Sequence, residues 1–313
     1  MARTRLRQSP PSPGTDHQGR LLKPSPFTYH RPSSIGESVA TLAELGGSGK
    51  VLAGGQSLVP LMSMRLSAPD HLVDINGLAE LDTVELTDGH VRIGAGARQA
   101  RVERDAAVRD AVPLLAQALA NVAHPTIRNR GTVVGSLVHA DPSAELPAVL
   151  LLLGGSMELR STDGVREVAA AGFFLGPMST AVRPGELAVA ARVPRPPTGS
   201  GTSFVEVSRR HGDFALCGVA ALAVTDPDGA ITSARAAMVG VGGTPVVVDL
   251  TPAVLGSGGG LDPAGRDDLV DQHVDPEGDI HATAEYRRQL ARVLTARAVD
   301  QAVGRARDGG RRR

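Results

Sequence analysis

The chain is short of sulfur and of aromatic rings: among its 313 residues there is one cysteine, Cys217, no tryptophan, two tyrosines and five phenylalanines. A single thiol excludes an internal disulfide, a four-cysteine zinc site and a self-contained cysteine-ligated iron–sulfur cluster, so any such cluster has to sit on a partner chain. With so few rings, the core has to be assembled from Val, Leu, Ile and Ala, and an aromatic in a loop stands out. Charge of one sign is also missing. Lys plus Arg and Asp plus Glu each number 33, for a formal net charge of zero, which removes the broad basic field that draws nucleic acid. The longest aliphatic run, Ala148 to Leu153, is too short to cross a bilayer, and a soluble, cytoplasmic protein is expected. The opening MARTRLRQSPPSPGTDHQGR lacks the apolar stretch of a secretory signal. It reads as a disordered basic extension over residues 1–26, and a nucleic-acid-binding arm is disfavoured by the lack of any aromatic before Phe27.

Several catalytic patterns are missing too. His124, His139 and His211 have no metal-ligand spacing, and no H-x-x-x-H occurs. A G-x-S-x-G elbow is absent, because Leu58 stands where the last glycine after Ser57 belongs. No G-x-G-x-x-G follows the first strand to open a helix, so a standard Rossmann nucleotide site is not supported.

What is present reads as an α+β chain of two or three domains. From Phe27, a short extended segment leads into a helix that Ser33 or Ser34 can cap and Gly46-Gly47 stop. Strand KVLAGG, helix SLVPLMSMRLS and strand HLVDI complete a β-α-β unit to about Ile75. Asp88-Gly89 marks a hairpin between paired strands. Residues 100–122 carry helical spacing interrupted at Pro113. Strands SMELRSTDG, VREVAAAGFF and ELAVAARVP follow. The stretch ARVPRPPTGSGTS reads as a hinge; beyond it come a meander of strands and helical text to about Val303, with Thr283 as a cap. Arg287 and Arg288 could pack within the chain or meet a partner. RARDGGRRR reads as a solvated basic tail.

Two glycine-containing runs carry the chemistry. Val51 to Pro60 places Gly54-Gly55 directly after an apolar strand, where backbone N–H groups can approach a phosphate with no Cβ in the way; an ordinary turn is the alternative. In Gly131-Thr132-Val133-Val134-Gly135-Ser136, the hydroxyls and intervening amides could bind a diphosphate and Asp141 could accept from a ribityl or ribose hydroxyl, against the alternative of a strand-to-helix turn. Arg209 to Phe214 is a charged turn whose aromatic serves either the core or a planar ring.

Taken in order, FTYHRPSSIGESVATL, AGGQSLVP, RLSAPDHLVDING, VRIGAGA, HPTIRNRGTVVGSLVHADPSAELPA, FFLGPMSTAVRPGEL, RRHGDFALCGVAA and ATAEYRRQLARVL resemble the FAD-binding medium subunit of the molybdenum hydroxylases, the xanthine dehydrogenase and aerobic carbon monoxide dehydrogenase family. The resemblance implies a vanillyl-alcohol-oxidase-like (PCMH-type) two-part FAD-binding domain over 27–197, with subdomains 27–80 and 81–197, a separate C-terminal α+β domain over 198–303, and a tail over 304–313. It assigns the FAD diphosphate to Ala53, Gly54, Gly55, Gln56 and Ser57, with Leu58 adjoining, and to Thr132, Val133, Val134, Gly135 and Ser136. It puts Asp141 beside the second loop with Glu145 close by, and Phe214 next to the isoalloxazine. Val134 departs from the family's glycine; if its position demanded positive φ, a β-branched residue would cost ~1–3 kcal/mol. The implied role is electron transfer through non-covalent FAD, with molybdopterin on a large partner subunit and 2Fe-2S clusters on a small one, in a dimer of heterotrimers. A stand-alone flavin oxidase and a scaffold subunit that has lost FAD are the alternatives.

Overall fold

The computed structural model describes residues 23–255 and 259–311; most of the expected N-terminal extension lies outside them. The first unit alternates strand and helix: β1 (Thr28–His30), α1 (Ile35–Leu45), β2 (Gly49–Leu52), α2 (Leu58–Ser63) and β3 (His71–Asp74). The strands form a parallel sheet in the order β1-β3-β2, as crossover helices dictate. Ser34 caps α1 by accepting from Glu37 N at 3.1 Å, while Glu37 Oε2 reaches back to Ser33 N and Oγ, each at 2.7 Å. Helix α2 is shorter than the sequence suggests. It ends at Ser63, with Met64 as its C-cap, because Arg65 turns left-handed, with φ 58°.

The second unit begins with β4 (Val84–Leu86) and β5 (His90–Gly94). The text read as helix with one break is three helices: α3 (Gln99–Arg104), α4 (Ala106–Ala111) and α5 (Pro113–Leu119). The additional break falls at Asp105, whose carboxylate accepts from Ala107 N and Val108 N and so starts a new helix. Next come α6 (Pro125–Arg128), α7 (Val133–His139), α8 (Glu145–Leu152), β6 (Ser156–Ser161), β7 (Gly164–Ala169), the two-stranded β8 (Phe174–Gly176) and β9 (Ser179–Thr180), and β10 (Leu187–Pro194). The large sheet is antiparallel in the order β4-β5-β10-β6-β7.

The hinge contracts to residues 195–199. Beyond it, β11 (Ser200–Ser208), β12 (Ala215–Thr225), β13 (Ile231–Val239) and β14 (Val246–Asp249) make an antiparallel meander, followed by α9 (Pro263–His273) and α10 (Ala284–Arg311). Helix α10 covers one face of the meander, and α5 and α8 cover the other. Coverage on both faces explains why Ala215–Ala223 is buried without interruption. The core is continuous across the hinge, since Phe204, Ala220 and Leu222 join the cluster that contains Leu114, Leu146 and Leu150. The expected basic tail is a correction: α10 runs through it to Arg311, with Ala306 buried, Arg305 Nη1 donating to Thr202 O at 2.6 Å and Arg307 Nε to Gly229 O at 2.9 Å. Both guanidinium heads there find backbone carbonyls, one on β11 and one in the β12–β13 turn.

Candidate functional site

β2 runs parallel to β3 up to Leu52, opposite Asp74, and the chain then turns through Ala53–Ser57 into α2. Gly55 takes φ +73°, a conformation that favours glycine. Gly54 is required for a different reason. A Cβ there would lie 2.4 Å from Arg130 O and 2.7 Å from Gly131 Cα, so its backbone is pressed against the second loop. The two runs singled out in the sequence are therefore one site. Among the described residues, the N–H groups of Gly54, Gly55, Gln56, Ser57 and Leu58 have no acceptor, whereas the carbonyls of Gly54, Gly55 and Ser57 are used by Gln56 Nε2 (3.1 Å), Val59 N (3.0 Å) and Leu61 N (3.2 Å). Successive unclaimed donors on a tight turn are the arrangement from which anion cradles are made, and this loop is a candidate cradle.

The second loop holds its amides differently. Thr132, buried, caps α7: its Oγ1 accepts from Gly135 N at 3.0 Å and keeps its own proton to donate. A Cβ on Gly135 would fall 2.6 Å from that oxygen and 3.9 Å from Ala53 Cβ, so glycine permits the cap and brings the first loop into contact. Ser136 N donates to Thr132 O at 3.1 Å, and the Val133 N–H points toward Ala97 O at 3.4 Å. The Val134 N–H is left without an acceptor among the described residues. Val134 is helical, has no positive φ, and is 2 % exposed. The strain anticipated for a β-branched residue is absent, because the position lies inside the helix and its side chain anchors the first turn in the core.

Residues without an obvious motif hold the loops together. Asn76 Nδ2 donates to Ala53 O at 2.7 Å, and Asn76 Oδ1 accepts from Arg98 Nη2 at 2.7 Å. Arg98 Nη1 donates to Arg130 O, which closes a strap from one loop to the other. Asp74 accepts from Asn76 and from the Tyr29 hydroxyl, whose pKa is pushed up to about 12, mainly by burial and then by that hydrogen bond. Arg128, buried, makes a bidentate pair with Glu103 and donates to Val122 O and Ala123 O, which fixes the approach to Gly131. Buried Gln99 packs against Gly131. The one sequence signal for this group is DING after β3, which places a short amide at the strand end beside the cradle.

Past α7, Ala140 reverses the chain at φ 50° and Asp141 Oδ1 accepts from Ser143 N at 2.8 Å. Burial pushes the pKa of Glu145, at the head of α8, up to about 7, with the charge of Asp141 adding to the rise; desolvation pushes His139 down. Asp141 thus follows α7, which Thr132 opens, and Glu145 heads the next helix. Phe214 is not core: it is 72 % exposed, on the β11–β12 turn. That turn packs on the segment leading to the second loop, with a Cβ at Gly212 falling 2.8 Å from His124 Cε1 and the rings of His124 and His211 6.5 Å apart. Arg287 is spoken for within the chain, by Leu216 O, Gly240 O and Asp279, and Thr283 Oγ1 accepts from Tyr286 N at 3.1 Å. Among the described residues no cluster of potential metal ligands occurs, and no helix is long and apolar enough to cross a membrane.

Residues 25–196 match the family described as the FAD binding domain in molybdopterin dehydrogenase, and residues 202–302 the CO dehydrogenase flavoprotein C-terminal domain. The 6-hydroxypseudooxynicotine dehydrogenase complex subunit alpha of Paenarthrobacter nicotinovorans is 38 % identical over 91 % of this chain and 97 % of its own. The carbon monoxide dehydrogenase medium chain of Afipia carboxidovorans is 36 % identical over 91 % and 99 %. Among solved structures, reconstituted CO dehydrogenase from Oligotropha carboxidovorans superimposes with a TM-score of 0.84 at 35 % identity, over 90 % of this chain and 99 % of that one.

Proposed function

The chain belongs to the family of FAD-binding medium subunits of molybdenum hydroxylases, of the carbon monoxide and xanthine dehydrogenase type, and on that footing we propose that it is the electron-transfer subunit of a heteromeric enzyme whose other redox centres lie on partner chains. FAD, when bound, supplies a centre that accepts and passes on electrons. The protein's part is to hold it. The observation that carries the reading is the run of five unclaimed amides from Gly54 to Leu58, seated against the Thr132-capped helix. Such a donor set fits a diphosphate, with Thr132 Oγ1 and the Val134 N–H as further donors, while Asp141 is suited to accept from a ribityl or ribose hydroxyl and Phe214 to lie against a planar ring. Arg98, tied to the loop backbone, adds positive charge beside the cradle.

The single cysteine, buried, with burial pushing its thiol up to about 12, offers neither a cluster ligand nor a nucleophile. Any 2Fe-2S clusters then lie on another chain, and from the family membership, rather than from the thiol, we propose a small partner for them, a large partner for the molybdopterin, and a cytoplasmic dimer of heterotrimers. Co-expression of the full chain with a large molybdopterin-binding and a small iron–sulfur chain tests this. The expected product contains all three chains and shows visible flavin absorbance; a stable complex of the three without flavin contradicts the proposal.

A further inference from the structure

Arg98 sits where both glycine-containing loops can be reached. Its backbone lies opposite Thr132 in an antiparallel bridge, flanked by Gln99 N donating to Gly131 O at 2.9 Å and by the Val133 N–H pointing to Ala97 O at 3.4 Å. From that fixed base the half-buried guanidinium spans two acceptors, Arg130 O through Nη1 and Asn76 Oδ1, at 2.7 Å, through Nη2. Both are neutral. Arg101 on α3 and Arg128 on α6 are paired with Asp82 and Glu103, whereas Arg98 makes no ion pair among the described residues. Asn76, two residues past β3, is oriented by its partners. A guanidinium only donates, so the amide oxygen faces Arg98; a carboxylate and a carbonyl only accept, so the amide nitrogen faces Asp74 Oδ1 at 2.5 Å and Ala53 O at 2.7 Å.

Ala53 O belongs to the peptide whose N–H is that of Gly54, the first of the unclaimed amides. That unit is planar and trans, so a donor holding its oxygen sends its N–H the opposite way, away from Asn76. Donation into the oxygen also draws charge from the nitrogen, and hydrogen bonds in series with a cation at one end polarise one another in the same sense. On its other side Gly54 is pressed against Arg130 O, the second carbonyl that Arg98 holds. We propose that Arg98 and Asn76 are positioning residues for the diphosphate: the relay Arg98–Asn76–Ala53 O aims and polarises the Gly54 N–H, so that the charge of Arg98 is felt in the cradle through the loop's own backbone. The diphosphate half of this rests on the function proposed above; the relay itself does not.

The test uses the full chain with Arg98→Met, which removes the cation and keeps most of the stem, Asn76→Ala, which removes the middle link, and the two together. In amide NMR spectra of the isotope-labelled chain without FAD, the Gly54 amide proton should move upfield in each single variant and little further in the double, while the Val134 amide proton, which the relay does not reach, keeps its position. The Kd for FAD should rise about tenfold in each single variant. Because the two residues act in series, the double variant should lose no more than about twentyfold, where independent contributions would multiply to about a hundredfold. Should either single variant fail to fold, Arg98→Gln and Asn76→Ser should displace the Gly54 proton in the same direction. A Gly54 proton that stays in place when Arg98 is replaced, or losses of affinity that multiply in the double variant, overturn the relay. An unchanged Kd in variants whose Gly54 proton has moved overturns the positioning role. A chain that binds no FAD at any concentration refutes the proposed function, while the spectra still decide the relay.

Discussion

The two glycine-containing loops touch backbone to backbone, yet they treat their amides in opposite ways. The first, Ala53–Ser57, leaves a run of N–H groups without acceptors and spends its carbonyls on its own turn. The second bonds most of its amides, those of Gly135 and Ser136 to Thr132 and that of Val133 to Ala97 O, leaves only the Val134 N–H unclaimed among the described residues, and sends the Val133 and Val134 side chains into the core. On the proposed function the first loop supplies most of the donors and the second mainly holds the first in place, so a given substitution should cost chiefly affinity in one and chiefly stability in the other.

The sharpest way to break that contrast is Gly54→Ala. The added methyl would overlap backbone at Arg130 and Gly131 rather than a movable side chain, at a cost of about 3 kcal/mol. FAD affinity should fall on the order of a hundredfold, read by flavin content after gel filtration, with the far-ultraviolet spectrum retained. Val134→Gly comes next. It removes a fully packed side chain and introduces glycine into a helix, so about 2 kcal/mol of stability should be lost in denaturant unfolding, with FAD affinity falling only as far as the loop loosens. If the position instead needed glycine for close approach to phosphate, Val134→Gly would tighten binding without loss of stability. Thr132→Val is the mildest. Loss of the cap should cost about 1 kcal/mol, and the loss of one hydroxyl donor should weaken FAD severalfold.

Glycines after an apolar strand are a local signal that marks the first loop as a candidate, and the structure adds a positive φ at Gly55. Gly54 shows the limit of that signal: the absence of its Cβ serves contact with Arg130 and Gly131, which no local pattern displays. Whether Val134 needs positive φ is not legible for the same reason, since whether a position lies at a turn or inside a helix depends on where Thr132 places the cap. The Asn76–Arg98 strap is not legible, because it becomes significant only when residues distant in sequence meet. The strand order of the C-terminal meander was readable from its turns. Its burial on both faces, and the continuation of α10 through residues that look like a basic tail, depend on packing against α5, α8 and the sheet edge.

The central claim is that the amides of Gly54 to Leu58 are the principal grip on the diphosphate. Amide hydrogen exchange on the full chain, with and without FAD, tests it most directly. The account predicts strong new protection across residues 54–58, with weaker change at 133–136, where most amides are already bonded. Flavin bound at full occupancy with exchange at 54–58 unchanged would contradict it.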